Sequence, residues 1–175
     1  AVENATRIFA EGGCDCVKME GGMNTVPYIE AVVKAGIPVM GHIGLTPQTS
    51  AMMGGFKVQG KSHEAAQHLV DTAKAVEAAG AFLINLEGIP VGVAKKITEE
   101  LTIPTMGIGA GKYCDSQDLV WPDIMGINDW IPKFAKKYCD LRTYIVNGLN
   151  QFADDVNSGA FPTEEYSYNT VVEGF

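Results

Sequence analysis

One four-part phrase repeats along this chain: a helix-like stretch, a small residue followed by Gly, a short apolar strand, and a polar or glycine-rich loop. It runs as AEGGCDCVKMEGG at 10–22, VVKAGIPVMGHIG at 32–44 and VEAAGAFLINLEG at 76–88. ITEELTIPTMGIGAG at 97–111 repeats it with Leu-Thr in place of the glycine, and DLVWPDIMG at 118–126 reads as a further, weaker strand. The glycines suit the position just past a helix, where φ is positive. The strands are apolar at nearly every position, as expected of parallel strands covered on both faces. Between them, 64–79 (EAAQHLVDTAKAVEAA) and 90–100 carry apolar residues at helical spacing. Alternating units of this kind confine the chain to an α/β fold with a parallel sheet, either open or curled into a barrel.

Length bears on that choice. A complete (β/α)8 barrel takes about 250 residues and rarely fewer than about 200, and 175 fall short of it. With 46% hydrophobic residues the chain can fill one core and offset its ordering entropy. No Ser/Gly linker divides it, so 1–175 is expected to be a single domain. Thirteen basic against 21 acidic side chains leave a net charge of −8 with no clustered basic stripe, which argues against nucleic acid or an anionic membrane as a partner. No apolar run approaches the about 20 residues needed to cross a bilayer, and AVENATRIFAEGG lacks the parts of a signal peptide. The four cysteines, Cys14, Cys16, Cys114 and Cys139, form no C-x-x-C pair. Cys14 and Cys16 would share one strand face, and all four read as reduced thiols of a cytoplasmic protein.

Ligand sites in α/β folds lie outside the carboxyl ends of the strands. Lys18 and Glu20, then His42, then Glu87 and the GIGAG loop at 107–111 stand at successive strand ends. Lys18 and Glu20, two residues apart, share a strand face, where they serve either a ligand or each other as an ion pair. A strand-end glutamate suits a metal ligand or a general base, with a helix-capping role as the alternative. His42, between Gly41 and Gly44, reads as a donor to a ligand that the glycines allow close, or as a core histidine satisfied by backbone. His63 and His68 read as surface residues. The segment 44–62, rich in Gly and Pro, is expected to cover substrate. GIGAGK at 107–112 is not a P-loop, because Met106 stands where the first Gly belongs and Tyr113 replaces Ser or Thr. It reads as a tight turn, with anion binding as the alternative. Asp115, Asp118 and Asp123 have no metal-ligand spacing and read as solvated. From about Asp129 a further helix-like stretch leads into a polar, tyrosine-bearing tail.

VKMEGG (17–22), GIPVMGHIGLTPQ (36–48), GGFKVQGK (54–61), EAAGAFLINLEGIP (77–90) and IPTMGIGAG (103–111) together resemble the ketopantoate hydroxymethyltransferase family. The likeness continues through DLVWPDIMGI and IPKFAKKY and so spans almost the whole chain. It implies an α/β (β/α)8, or TIM, barrel. The activity implied is transfer of a hydroxymethyl group from 5,10-methylenetetrahydrofolate to 3-methyl-2-oxobutanoate, giving ketopantoate for pantothenate and coenzyme A biosynthesis. The family's cofactor is Mg²⁺, its partners are a small 2-oxo acid and a folate, and it forms large homo-oligomers. Carried over motif by motif, Glu20 resembles a metal ligand, Lys18 and His42 resemble substrate contacts, and Glu87 resembles the catalytic base. No residue here is matched to the folate.

The family's pattern begins earlier than this sequence does. Its first three strands bear two aspartates that bind the metal and a serine that contacts substrate. The resemblance implies that 1–175 is the C-terminal portion of a longer polypeptide, supplying about five of the eight strands. Two other functions fit less of the pattern. One is a non-catalytic assembly or ligand-binding fragment, since Glu20 alone is a weak Mg²⁺ site. The other is a different Mg²⁺-dependent, enolate-forming carbon–carbon lyase on a related barrel, against which the GHIGLTPQ and GGFKVQGK blocks speak.

Overall fold

The structure, a computed structural model, describes residues 1–174. It contains two compact units, Ala1–Asp118 and Leu119–Phe175, each described in turn.

In the first unit, helices α1 (Val2–Gly12), α2 (Val26–Lys34), α3 (His63–Ala78) and α4 (Val91–Glu100) alternate with strands β1 (Val17–Glu20), β2 (Val39–Gly44), β3 (Leu83–Glu87) and β4 (Thr105–Ile108). A two-residue strand β5 (Ser116–Gln117) follows. All neighbours pair in parallel, in the order β1-β2-β3-β4-β5. Sequential order with a helix in each main crossover is the connectivity of a partial (β/α) barrel. The expected helices 64–79 and 90–100 match α3 and α4 to within a residue or two. The expected strand at 118–126 does not form. The strand lies earlier, at β5, and Trp121–Ile124 is a short helix, α5, with proline in its first turn. Proline lacks the N–H a sheet ladder needs but costs nothing at a helix start. Cys14 precedes β1, so the shared strand face expected for Cys14 and Cys16 is absent.

The core lies between the sheet and its helices. Val17, Val39, Ile43, Ile84 and Leu86 from the strands meet Ile29 and Val32 of α2, Val70, Ala73 and Val76 of α3, and Ala94 and Ile97 of α4. Burying a side chain of this size contributes about 1.5–3 kcal/mol, so this layer is the main source of the unit's stability. Helix ends follow the sequence phrase. Ser62 caps α3 by accepting from Ala65 N–H at 3.1 Å, and Gly80, just past α3, has φ 94°. After α4, where no glycine stands, Glu77 of α3 takes over. Its Oε1 accepts from Thr102 N–H (2.6 Å), Thr102 Oγ1 (2.7 Å) and Ile103 N–H (3.1 Å). The Thr102 hydroxyl foremost, then the two N–H groups, hold the Glu77 carboxyl below its ordinary range. Lys74 of α3 and Lys96 of α4 converge on Glu100 and lower its carboxyl to about 2.

In the second unit, Asp123 is buried and accepts from Asn128 Nδ2 at 2.7 Å, contrary to the solvated reading. Asp115 of the first unit, likewise expected to be solvated, is exposed yet accepts from Thr105 N–H at 2.7 Å. Helix α6 (Leu141–Ser158) buries none of its residues. At its end Phe152, Phe161 and Tyr166 cluster through ring contacts of 5.7 and 5.6 Å.

Candidate functional site

Residues paired across parallel strands share a face of the sheet. The register sets Glu20 beside His42, His42 beside Asn85 and Asn85 beside Met106. Two steps further toward the carboxyl ends, Gly44, Glu87 and Ile108 form the next row of the same face, and two steps back Lys18 pairs with Met40. Lys18, Glu20, His42, Asn85 and Glu87 therefore lie on the face opposite the helix-packed core. All four residues singled out from the sequence fall on that face, and a fifth, Asn85, joins them.

His42 is the centre of the group and only 2% exposed. Its Nε2 lies 3.0 Å from Glu87 Oε2 and its Nδ1 lies 3.5 Å from Glu20 Oε2, so the ring bridges two carboxylates. Neither contact has hydrogen-bond alignment, and both ring nitrogens are buried without a partner. The alternative in which backbone groups satisfy the histidine is thereby excluded. Glu20 is fixed from its other side, where Oε1 accepts from Gln48 N–H at 2.8 Å. That bond brings the segment 44–62, a 3-10 helix over Pro47–Met53, back against the end of β1. The segment is also tied to the end of β3, because Gln59 N–H donates to Gly88 O at 2.9 Å. Lys18 is exposed and makes no salt bridge among the described residues, so the expected alternative of an ion pair with Glu20 is not present.

The glycines beside His42 have a different role from the one expected. A Cβ on Gly41 would lie 2.4 Å from Val76 Cγ1, so its hydrogen makes room for α3 on the core side, not for a ligand. Gly44 has φ 95°, and a Cβ there would lie 2.2 Å from Glu87 O. Only glycine lets Leu45 N–H reach that carbonyl, at 2.8 Å. In the GIGAG loop, the space beside Gly107 is filled by Cys114 Sγ at 2.9 Å and that beside Gly111 by Val91 Cγ2 at 2.7 Å, which supports the tight-turn reading. His68, read as a surface residue, is exposed but also lines a cavity of about 180 Å³ beneath the 44–62 segment, with Ile43, Met53, Leu69 and Thr72. Glu20, His42 and Glu87 are not among its walls.

Asn85 was missed in the sequence although it carried a signal. In LINLE it is the one polar residue ahead of the terminal Glu87, and it stands two before it, hence on the same face. Magnesium takes oxygen ligands, commonly one or two protein carboxylates with water and substrate supplying the rest. Glu20 fits as one such ligand through Oε2. Among the described residues no group of three His, Cys, Asp or Glu side chains converges on a metal position. No helix among the described residues is long and apolar enough to cross a membrane.

The family model for ketopantoate hydroxymethyltransferase matches residues 1–164. A 3-methyl-2-oxobutanoate hydroxymethyltransferase of Heliobacterium modesticaldum is 53% identical over 169 residues, covering 96% of this chain and 61% of that protein. The enzymes of the same description from Clostridium beijerinckii and Geotalea uraniireducens are 52% and 53% identical, each covering 62% of their own length and 96% and 95% of this chain. The chain thus spans about three-fifths of the length of the curated relatives it matches.

Proposed function

This chain belongs to the ketopantoate hydroxymethyltransferase family, and on that premise we propose that its strand-end face takes part in hydroxymethylation of 3-methyl-2-oxobutanoate. The observation that carries the reading is the buried His42 ring between Glu20 and Glu87. Two carboxylates and an imidazole on one face at the strand ends are the groups needed to take a proton from carbon and to stabilise the charge that results.

In this reading Glu87 removes the C3 hydrogen of the 2-oxo acid as a proton, leaving an enolate. Lys18, free of other pairing among the described residues, donates to the oxygens on which that charge develops. His42, held at 3.0 Å from Glu87 Oε2, orients the base and offers a donor to the same oxygens. Glu20 would hold Mg²⁺ in part, and the ion would supply Lewis-acid polarisation of the keto oxygen. The enolate carbon then bonds to the methylene carbon of 5,10-methylenetetrahydrofolate as one C–N bond of the bridge opens and its nitrogen takes the proton from Glu87. Water displaces the second nitrogen, giving its hydroxyl to that carbon and its proton to the nitrogen, so that ketopantoate and tetrahydrofolate leave. Assembly as a homo-oligomer in the cytoplasm belongs to the same proposal.

The test is exchange of the C3 hydrogen in D2O, followed by NMR, with the protein expressed from its complete reading frame. Glu87→Gln keeps the size of the side chain but not its basicity, and is expected to slow exchange at least about 100-fold; unchanged exchange refutes the assignment. A second reading, ligand binding without turnover, is favoured by the His42–Glu87 contact, which lacks the hydrogen-bond alignment of an oriented base. It predicts calorimetric binding of 3-methyl-2-oxobutanoate with no exchange even in the unaltered protein.

A further inference from the structure

Asn85 is 1% exposed, and its Oδ1 is buried without a hydrogen-bond partner. The groups nearest to it along the row do not supply one. Neither ring nitrogen of His42 is hydrogen-bonded to it, and Met106 has no side-chain donor. Native proteins seldom leave a buried carboxamide oxygen unpaired, because it has been stripped of water without compensation. An unpaired acceptor on a face that otherwise gathers ligand-binding groups points to a donor carried by the ligand.

We propose that Asn85 determines specificity by accepting a hydrogen bond from the hydroxyl of the hydroxymethylated acid. This rests on the reading of the site given above. Of the two acids in that reaction, 3-methyl-2-oxobutanoate carries only acceptors, a ketone and a carboxylate, and aliphatic groups. Hydroxymethylation adds one O–H, its single donor near the reacting carbon. Asn85 stands two residues before Glu87 on the same face of β3, about 7 Å along the strand. The new hydroxyl lies two bonds from the C3 atom at which Glu87 acts, within reach of a side chain at that spacing. A site that hydrogen-bonds a hydroxyl discriminates strongly against the analogue lacking it, since the protein acceptor is then left unpaired.

The experiment measures calorimetric dissociation constants for both acids in magnesium-containing buffer, with the protein expressed from its complete reading frame. Asn85→Leu keeps the side chain's branching and removes its polar atoms. It is expected to weaken binding of the hydroxymethylated acid about tenfold and to leave 3-methyl-2-oxobutanoate within about twofold, the latter also showing that the site is intact. Asn85→Val, suited to a strand, serves the same comparison if the leucine variant fails to fold. Equal weakening of both acids, or no change in either, overturns the proposal while leaving the proposed function standing. Failure of the unaltered protein to bind either acid overturns the proposed function, and this proposal with it.

Discussion

Replacing Gly41 by alanine separates two roles for a glycine beside His42. If its hydrogen kept space for a ligand, Gly41→Ala would block binding and leave stability untouched. The structure puts the missing side chain on the core side, 2.4 Å from Val76 Cγ1 and 3.6 Å from Ile84 Cγ1. Carbon atoms pack at about 3.5–4.0 Å, so the new methyl intrudes on Val76 by more than about 1 Å. Val76 cannot turn aside cheaply, because it is fully buried and a β-branched side chain in a helix holds one χ1 rotamer. Overpacking of this kind costs about 1–3 kcal/mol. The reduced freedom of the unfolded chain returns about 0.4–1 kcal/mol, for a net loss of about 1.3 kcal/mol at the middle of both ranges. Val76→Ala alone removes two buried carbons and leaves a cavity, costing about 2–3 kcal/mol. The double variant places the methyl introduced at position 41 where the valine methyls were. It is expected to be more stable than the sum of the single changes by at least about 1 kcal/mol. Urea unfolding reads this as midpoint shifts at constant m. A neutral Gly41→Ala, or single changes that add to within about 0.5 kcal/mol, refutes the packing argument.

Other expectations follow from the same geometry. Gly44→Ala combines a positive φ with a Cβ 2.2 Å from Glu87 O; it is expected to cost more than about 3 kcal/mol in urea unfolding and to shift Glu87 enough to slow C3–H exchange. Glu77→Ala removes three hydrogen bonds that begin the Thr102–Ile103 turn and is expected to lower stability by about 1–2 kcal/mol, with little effect on exchange because the residue lies away from His42. Stability should also fall in acid through Glu77 and Glu100, whose carboxyls are lowered on folding, Glu100 to about 2 from an ordinary 4.5. The unfolded chain then takes up protons before the folded one, so this stabilisation is complete above about pH 4.5 and is lost as the pH falls toward about 2. Unfolding midpoints recorded across that range test the sign. Added salt should weaken the Glu100 part, which depends on exposed lysines.

The reading from sequence reached the βα units because hydrophobic period, strand composition and helix-end glycines are local properties of a few neighbouring residues. The same local rule put Lys18 with Glu20 on one face, and would have put Asn85 with Glu87 had the asparagine in LINLE been weighed. It failed at 118–126, where apolar content outweighed the Pro122 that marks a helix start.

What no local pattern contained is which strand residues stand side by side. Register and helix packing are set by contacts between residues far apart in the chain, and a slip of one residue would turn every side chain to the other face. That register, not the spacing of motifs, puts the His42 ring between Glu20 and Glu87 and sets Asn85 next to it. Gly41 and Gly44 make the same point. Each was visible as a glycine, but its reason, a valine on α3 or a carbonyl on β3, exists only once those elements are packed together. Local pattern sets the kind of unit and the candidate groups. Which of those groups meet is set by the packed fold, because only packing brings distant segments within bonding range.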